Sequence, residues 1–310
     1  DGGIAVFDIT KKKFVEQINK KSGLQSNHIW DIAVDDQNNV FVATRDAGLL
    51  YRASGTDKFI AFDLESDIKL PTDNIRSILI DEENRVWLGS RNSGLILFDL
   101  INGVQRHFES SIDDLSGICS NSINDLFQDN GGYIYVATDS GLCEWDENTG
   151  TFIRYSTDSN NPSLVDDRVV SLFQDKGGVL WVGTSHGISK WNRSVNKFQL
   201  VNSKTPLGKN LSSDIISSFA EAENGDMYVG TWGGGINVID VNKSTISHIK
   251  AKPGVEGVLQ DDRITTLLID SKQNLWVGTQ RDGLHFRQKG SNKFQQFLHD
   301  PENDSTLSSN

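Results

Sequence analysis

The chain has 310 residues, enough to bury a large core, and sets 30 Lys and Arg against 42 Asp and Glu for a net charge of −12. That balance argues against a nucleic-acid partner, which needs a basic face to replace condensed counterions, and against binding to anionic membrane surfaces. No apolar run approaches the roughly 18 residues of a membrane span, and nothing resembles a signal peptide.

Taken in order, GGIAVFDITKKKFVEQI at 2–18 reads as two strands, and it aligns with SGLILFDLINGVQRHF at 93–108. After it, one unit recurs six times. Its copies are FVATRDAG (41–48), VWLGSRNSG (86–94), IYVATDSG (134–141), LWVGTSHG (180–187), MYVGTWGGG (227–235) and LWVGTQRDG (275–283). The small residue after each apolar run is Ala43, Gly89, Ala137, Gly183, Gly230 or Gly278, so successive steps are 46, 48, 46, 47 and 48 residues. A fixed period of this size marks a repeat architecture.

Residues 168–200 show the unit most clearly. RVVSLFQD has strand composition, Lys176-Gly177-Gly178 supplies a turn, and VLWVGTS is a β-branched and aromatic run. A turn at Ser185-His186-Gly187, the strand ISKW, a turn at Asn192-Arg193-Ser194 and the strand KFQLV complete it. Four short strands joined by tight turns form an antiparallel meander, and no stretch holds apolar residues at helical spacing for three turns. The predicted fold is therefore all-β, a single β-propeller domain over 1–310 with four-stranded antiparallel blades at about 26–65, 73–110, 121–156, 167–202, 213–250 and 262–298. Residues 1–20 are expected to be the outer half of a further blade and 299–310 a linker to a following one, giving a seven-bladed ring with its seventh blade incomplete.

The aromatics Phe41, Trp87, Tyr135, Trp181, Tyr228 and Trp276 share one repeat column and are expected to form inter-blade core. The small residue two positions on fits a place of close blade packing. A second column, Asp31, Ser77, Asp125, Ser171, Ser217 and Thr266, is expected to line a water-filled channel. Cys119 and Cys143 are too few for a disulfide framework, and Cys143 reads as a small buried hydrophobe. The acidic turns, such as Asp81-Glu82-Glu83, are explained by turn chemistry better than by calcium.

These repeats resemble the two-component regulator propeller family. The resemblance rests on DRVVSLFQDKGGVLWVGTSHGI at 167–188, DDRITTLLIDSKQNLWVGTQRDGL at 261–284, and the connectors DSNNPSLVDDRV (158–169) and DPENDSTLSSN (300–310). It implies an extracytoplasmic, usually periplasmic, sensor of a membrane-anchored signalling protein whose output is a histidine kinase, often a hybrid one, or a diguanylate cyclase. Several members of that family sense glycans through paired propellers.

In a propeller the loops joining strands two to three, and strand four to the next strand one, share a face around the channel. The candidate ligand-binding residues there are Trp232, Trp30, Arg76, Asn124, Arg45, Arg91, His186, Arg168, Arg281 and Asp282. Aromatic, Arg, Asp and Asn side chains together suit a polar ligand such as a sugar: Trp30 or Trp232 would stack, and Arg76 or Asn124 would hydrogen-bond. The six histidines sit in different repeat columns, no Gly-x-Ser-x-Gly elbow occurs, and TWGGGIN lacks the Lys-Ser of a phosphate loop. No catalytic residue, metal or cofactor is expected. The expected function is periplasmic ligand sensing, with a small molecule or oligosaccharide and a second copy of the full-length protein as partners, and with any membrane contact made by segments outside the chain. A scaffold propeller for dimerisation is the alternative, and a propeller enzyme of lactonase or lyase type the third.

Overall fold

A computed structural model describes residues 2–62, 70–99, 105–114, 116–157, 163–193, 197–205, 208–241, 243, 245–303 and 306–310. The connector residues 158–162 and 304–305, the turn residue Ser194 and the tail of the first expected blade, 63–65, lie outside them. The chain forms two compact units, Asp1–Tyr155 and Ser156–Asn310.

The first unit opens with a hairpin of β1 (Ile4–Asp8) and β2 (Lys13–Ile18). Blade one is β3 (Ile29–Val34), β4 (Val40–Thr44), β5 (Leu49–Arg52) and β6 (Ile60–Ala61). Blade two is β7 (Ile75–Ile80), β8 (Arg85–Ser90), β9 (Leu95–Asp99) and β10 (Gln105–Phe108). Blade three is β11 (Ile123–Gln128), β12 (Ile134–Thr138), β13 (Gly141–Asp146) and β14 (Thr151–Tyr155).

The second unit holds three more. Blade four is β15 (Val169–Gln174), β16 (Leu180–Thr184), β17 (Gly187–Asn192) and β18 (Lys197–Val201). Blade five is β19 (Ile216–Glu221), β20 (Met227–Thr231), β21 (Gly235–Asp240) and β22 (Thr245–Ile249). Blade six is β23 (Ile264–Ile269), β24 (Leu275–Thr279), β25 (Leu284–Arg287) and β26 (Phe294–Phe297). Each blade is an antiparallel meander with strands bonded in chain order, so the fold is an all-β propeller type with six four-stranded blades.

Within each unit the aromatic column joins neighbouring blades. Phe41 of blade one packs with Ile75, Ile78 and Val86 of blade two, and Trp87 of blade two with Ile118 of the linker entering blade three and Ile123 and Val136 of that blade. Trp181 of blade four meets Ile216, Phe219 and Val229 of blade five. Phe41, Trp87, Tyr135 and Trp181 are fully buried, whereas Tyr228 and Trp276 are half-buried.

The small-residue column is explained by the opposite strand. Gly89 faces Ser77, Gly183 faces Ser171, Gly230 faces Ser218 and Gly278 faces Thr266. A Cβ on Gly89 would stand 2.5 Å from Ser77 Oγ and 2.5 Å from Ile123 Cγ2 of the next blade. Gly183 and Gly230 meet the equivalent serine and the next blade's isoleucine in the same way. Alanine stands only where the facing residue is aspartate: Ala43 opposite Asp31, Ala137 opposite Asp125. Asp31 turns to the next blade instead, its Oδ2 accepting the Ile78 N–H at 2.9 Å.

Two expectations about the second column need correction. Its member in blade five is Ser218, not Ser217, because each first strand carries a bulge and Ser217 occupies it. The column also does not simply line a channel: Ser77 and Ser171 are only 3% and 8% exposed, closed in by the glycine opposite and the next blade.

An aspartate ends the first strand in five blades and ties its turn to the aromatic column. Asp81 Oδ2 accepts the Trp87 indole N–H at 2.7 Å, Asp175 that of Trp181 at 2.8 Å and Asp270 that of Trp276 at 3.0 Å. Asp129 takes the Tyr135 hydroxyl at 3.3 Å. Asp35 faces a donor-less Phe41 and accepts the Asn39 amide instead, at 2.7 Å. Turn and indole donors thus use up these carboxylates, and among the described residues no group of three or more His, Cys, Asp or Glu is placed to hold a metal ion.

The cysteines are a further correction. Cys143 is fully buried, as a small hydrophobe would be, but it is bonded to Cys119 in a disulfide with Cα atoms 6.0 Å apart. Two distant cysteines give no sequence signal for pairing; the linker entering blade three lies across that blade's third strand and brings them together. No helix of the described residues is long and apolar enough to cross a membrane.

Candidate functional site

The turn between strands two and three is stapled to the start of its own first strand in every blade. Its first residue donates an N–H to that strand's entry: Arg45 to His28 O (3.0 Å), Arg91 to Asn74 O (3.2 Å), Asp139 to Ser122 O (3.2 Å). In the second unit Ser185 bonds Arg168 O (3.1 Å), Trp232 bonds Ile215 O (2.9 Å) and Gln280 bonds Arg263 O (3.1 Å). The residue before, Thr or Ser, donates its hydroxyl to the glycine carbonyl that opens or precedes strand three, at 2.7–2.9 Å in all six blades. This explains the Thr of the Trp-Val-Gly-Thr strand. It fixes the turn, and the side chains beyond it are free to differ.

In the first unit three candidates come together. Trp30, Arg76 and Asn124 all occupy the bulge of a first strand, in blades one, two and three. The Arg76 guanidinium lies 5.6 Å from the Trp30 ring centroid, and its Nη1 donates to Asn124 Oδ1 at 2.6 Å. Asn124 Nδ2 in turn donates to Asp139 Oδ1 at 2.9 Å. Indole, guanidinium, amide and carboxylate thus form one polar relay across three blades, with Trp30 45% exposed. Burial raises the pKa of neighbouring Asp31 above the ordinary carboxylate value, against the two backbone N–H bonds that it accepts. Arg45 and Arg91 stand outside the relay, exposed on their turns.

The second unit carries the other candidates, Trp232, His186, Arg168, Arg281 and Asp282. Trp232 is 39% exposed on a turn locked by Gly233 N–H and Gly235 N–H, both donated to Asp262 O at 3.0 and 2.9 Å. Ser213 Oγ donates to the Trp232 carbonyl at 3.2 Å, so its backbone is held while its ring faces solvent. His186 Nδ1 lies 3.0 Å from Asp166 Oδ2 on the blade-four loops, and Arg168 is exposed. Arg281 is exposed and Asp282 half-buried, its N–H donated to Thr279 Oγ1 at 3.2 Å.

Asp139 is the member of the relay that is absent from the candidate residues read from the sequence. The signal was present, because Asp139 is the only carboxylate at the first position of these six turns.

Three stretches, residues 69–92, 163–186 and 258–281, match the two component regulator propeller family. No curated protein matches the chain. Among solved structures it is similar to a B. thetaiotaomicron extracellular domain assigned to the hybrid two component system BT3049, at 18% identity and a TM-score of 0.76, covering 95% of this chain and 38% of that one. It is also similar to PorZ, an essential bacterial surface component of the type-IX secretion system of Porphyromonas gingivalis, at 18% identity and TM-score 0.64, covering 93% of this chain and 43% of that one. Virginiamycin B lyase from Staphylococcus aureus matches at 12% identity and TM-score 0.62, over 87% of this chain and 84% of its own. At these identities the likeness is one of fold, and the chain spans well under half the length of the first and second of these structures.

Proposed function

We propose that this chain, whose repeats are those of the two component regulator propeller family, is the extracytoplasmic, periplasmic sensor domain of a bacterial membrane-anchored signalling protein. The observation that carries the reading is the Trp30–Arg76–Asn124–Asp139 relay. It gathers a stacking ring, a guanidinium, an amide and a carboxylate at bulge and turn positions that the blade does not need for its own packing. Such a set suits a glycan or another small polar ligand, with Trp30 stacking on an apolar sugar face.

Several features support the setting. The Cys119–Cys143 disulfide fits an oxidising compartment. The β1–β2 hairpin supports a seventh blade, of which it would be the outer half. Gly3 at its start donates to Asn27 O at 3.0 Å, as Gly48 does to Asp73 O and Gly94 to Asn121 O where a blade's third strand meets the next blade's linker. Ile4 and Val6 pack against the blade-one core as well. The scaffold reading differs in its consequence, since ligand would then leave association unchanged. The lyase among similar folds keeps an enzyme as the third reading.

In the proposed mechanism ligand binding shifts how two copies associate through the full-length protein, which couples to a kinase or diguanylate cyclase output. Light scattering of the purified chain with and without an oligosaccharide panel separates the first two readings. A sensor changes its association state only with ligand; a scaffold self-associates without it.

A further inference from the structure

The turns between strands one and two share one backbone course in all six blades. Asn38, Asn84, Gly132, Gly178, Gly225 and Gln273, all at positive φ, donate to the carbonyls of Asp35, Asp81, Asp129, Asp175, Ala222 and Asp270. In five turns the aspartate Oδ1 also takes the N–H of the fifth residue, at 2.7–3.0 Å. Blade five keeps the backbone and lacks the carboxylate, because Ala222 stands in its place. Its fifth-residue N–H, on Asp226, is left to the Asn224 side chain at 3.2 Å. The Tyr228 hydroxyl, which holds the ring position that meets aspartate in four other blades, takes a hydrogen bond from Arg287 Nη2 at 3.0 Å.

Beside this turn lies a cavity of about 420 Å³, lined among others by Ala222, Asn224, Tyr228, Gln273, Arg287 and Lys289. Its walls hold two cations, Arg287 and Lys289, one carboxylate, Glu223, and the amides of Asn224, Gln273 and Gln288. Arg287 lies over the Tyr228 and Phe294 rings at 5.5 and 5.4 Å and has no carboxylate partner among the described residues. The two nearby carboxylates are engaged, Glu223 with Lys289 Nζ at 2.9 Å and Asp226 with Asn224 Nδ2 at 2.8 Å. Gln273 is held at φ +63°, a region uncommon for a residue with a side chain, and its Oε1 accepts the Glu223 N–H at 2.7 Å.

We propose that this cavity binds a small carboxylate of about monosaccharide size, whose carboxylate group takes the place that aspartate fills in the other five turns. Arg287 is its principal partner through paired N–H donors, with the Tyr228 hydroxyl and the blade-five turn beside it. Gln273 Nε2 is left for a hydroxyl group of the ligand, its Oε1 being engaged by Glu223. The cavity lies at the strand ends opposite the Trp232 turn, so it is a separate site and stands whether or not the sensor reading does.

The test is titration calorimetry with D-glucuronate, with D-glucose as the neutral control. The wild type is expected to bind glucuronate at least about tenfold more tightly than glucose, the discrimination of a charge-assisted pair. Ala222→Asp supplies the missing carboxylate from the chain itself. It is expected to weaken glucuronate binding at least about tenfold while raising the thermal unfolding midpoint, which reports that the variant is folded. Arg287→Gln is expected to weaken binding without that rise. Absence of glucuronate binding, equal binding of glucose, or undiminished binding by both variants would overturn the proposal.

Discussion

Replacing Asp81 by alanine is expected to cost about 3–5 kcal/mol, from a fully buried indole donor left unsatisfied together with three further hydrogen bonds lost. Asp81 Oδ1 accepts the Glu83 and Arg85 N–H groups at 3.0 and 2.8 Å, and Oδ2 accepts Arg85 Nε and Trp87 Nε1, both at 2.7 Å. Alanine leaves four donors without that acceptor, one of them on a Trp87 that is fully buried between blades two and three. An unsatisfied buried donor costs the whole of its desolvation, whereas the Arg85 guanidinium keeps Glu83 and Glu147 at 2.5 and 2.9 Å. At ~2–4 °C per kcal/mol for a unit of this size, the unfolding midpoint should fall by roughly 10 °C. Asp35→Ala is the internal control. Its aromatic partner is Phe41, which has no donor to orphan, so differential scanning calorimetry should show a clearly smaller drop.

Reduction of the Cys119–Cys143 bond is the second large effect expected. The bond closes a loop over a separation of 24 residues, and loop-closure entropy puts its contribution at about 3–4 kcal/mol. It also covalently joins a contact that other blades make by hydrogen bonding. The linker residue Val165 donates its N–H to Ser189 Oγ at 2.9 Å, and Ser212 donates to Asn237 Oδ1 at 2.8 Å, each on its own blade's third strand. In blade two the linker residue is Pro71, which has no N–H, and the third-strand residue is the apolar Ile96. A reductant should therefore lower the midpoint of the first unit by roughly 10 °C. The variant Cys143→Ser with Cys119→Ala should recover part of this, because serine can accept the linker N–H as Ser189 does. A midpoint indifferent to reductant would show that the linker is held by packing alone.

The blade was legible in the sequence because its packing is periodic. Gly89, Gly183 and Gly230 recur where a serine hydroxyl and the next blade's isoleucine leave no room for a Cβ, and Gly278 where the Thr266 methyl group of its own blade does. Ser217 was misplaced by one residue because the bulge inserts an extra position, and the doublet Ser217-Ser218 offers a serine at either register. The disulfide was illegible for a different reason: it depends on where a linker crosses a strand, which no local pattern encodes. The candidate loop residues were readable as a column, Trp30, Arg76 and Asn124 standing at one repeat position. Their contact was not, since it depends on the reach of each side chain to the next blade. Ala222 was visible as the break in the aspartate column. Reading those aspartates as clusters of turn acids, rather than one by one as indole and backbone acceptors, hid the exception.

The central claim, a ligand site on the first-strand bulges, is tested most directly by calorimetric titration of the purified chain with neutral oligosaccharides. The account predicts saturable heat with at least one of them. Trp30→Ala should reduce that affinity by on the order of tenfold or more, the scale of losing one stacked aromatic contact. Arg76→Ala should do likewise, and Trp232→Ala, on the other unit, should leave it unchanged. No heat from any oligosaccharide, or heat that survives both Trp30→Ala and Arg76→Ala, would contradict it.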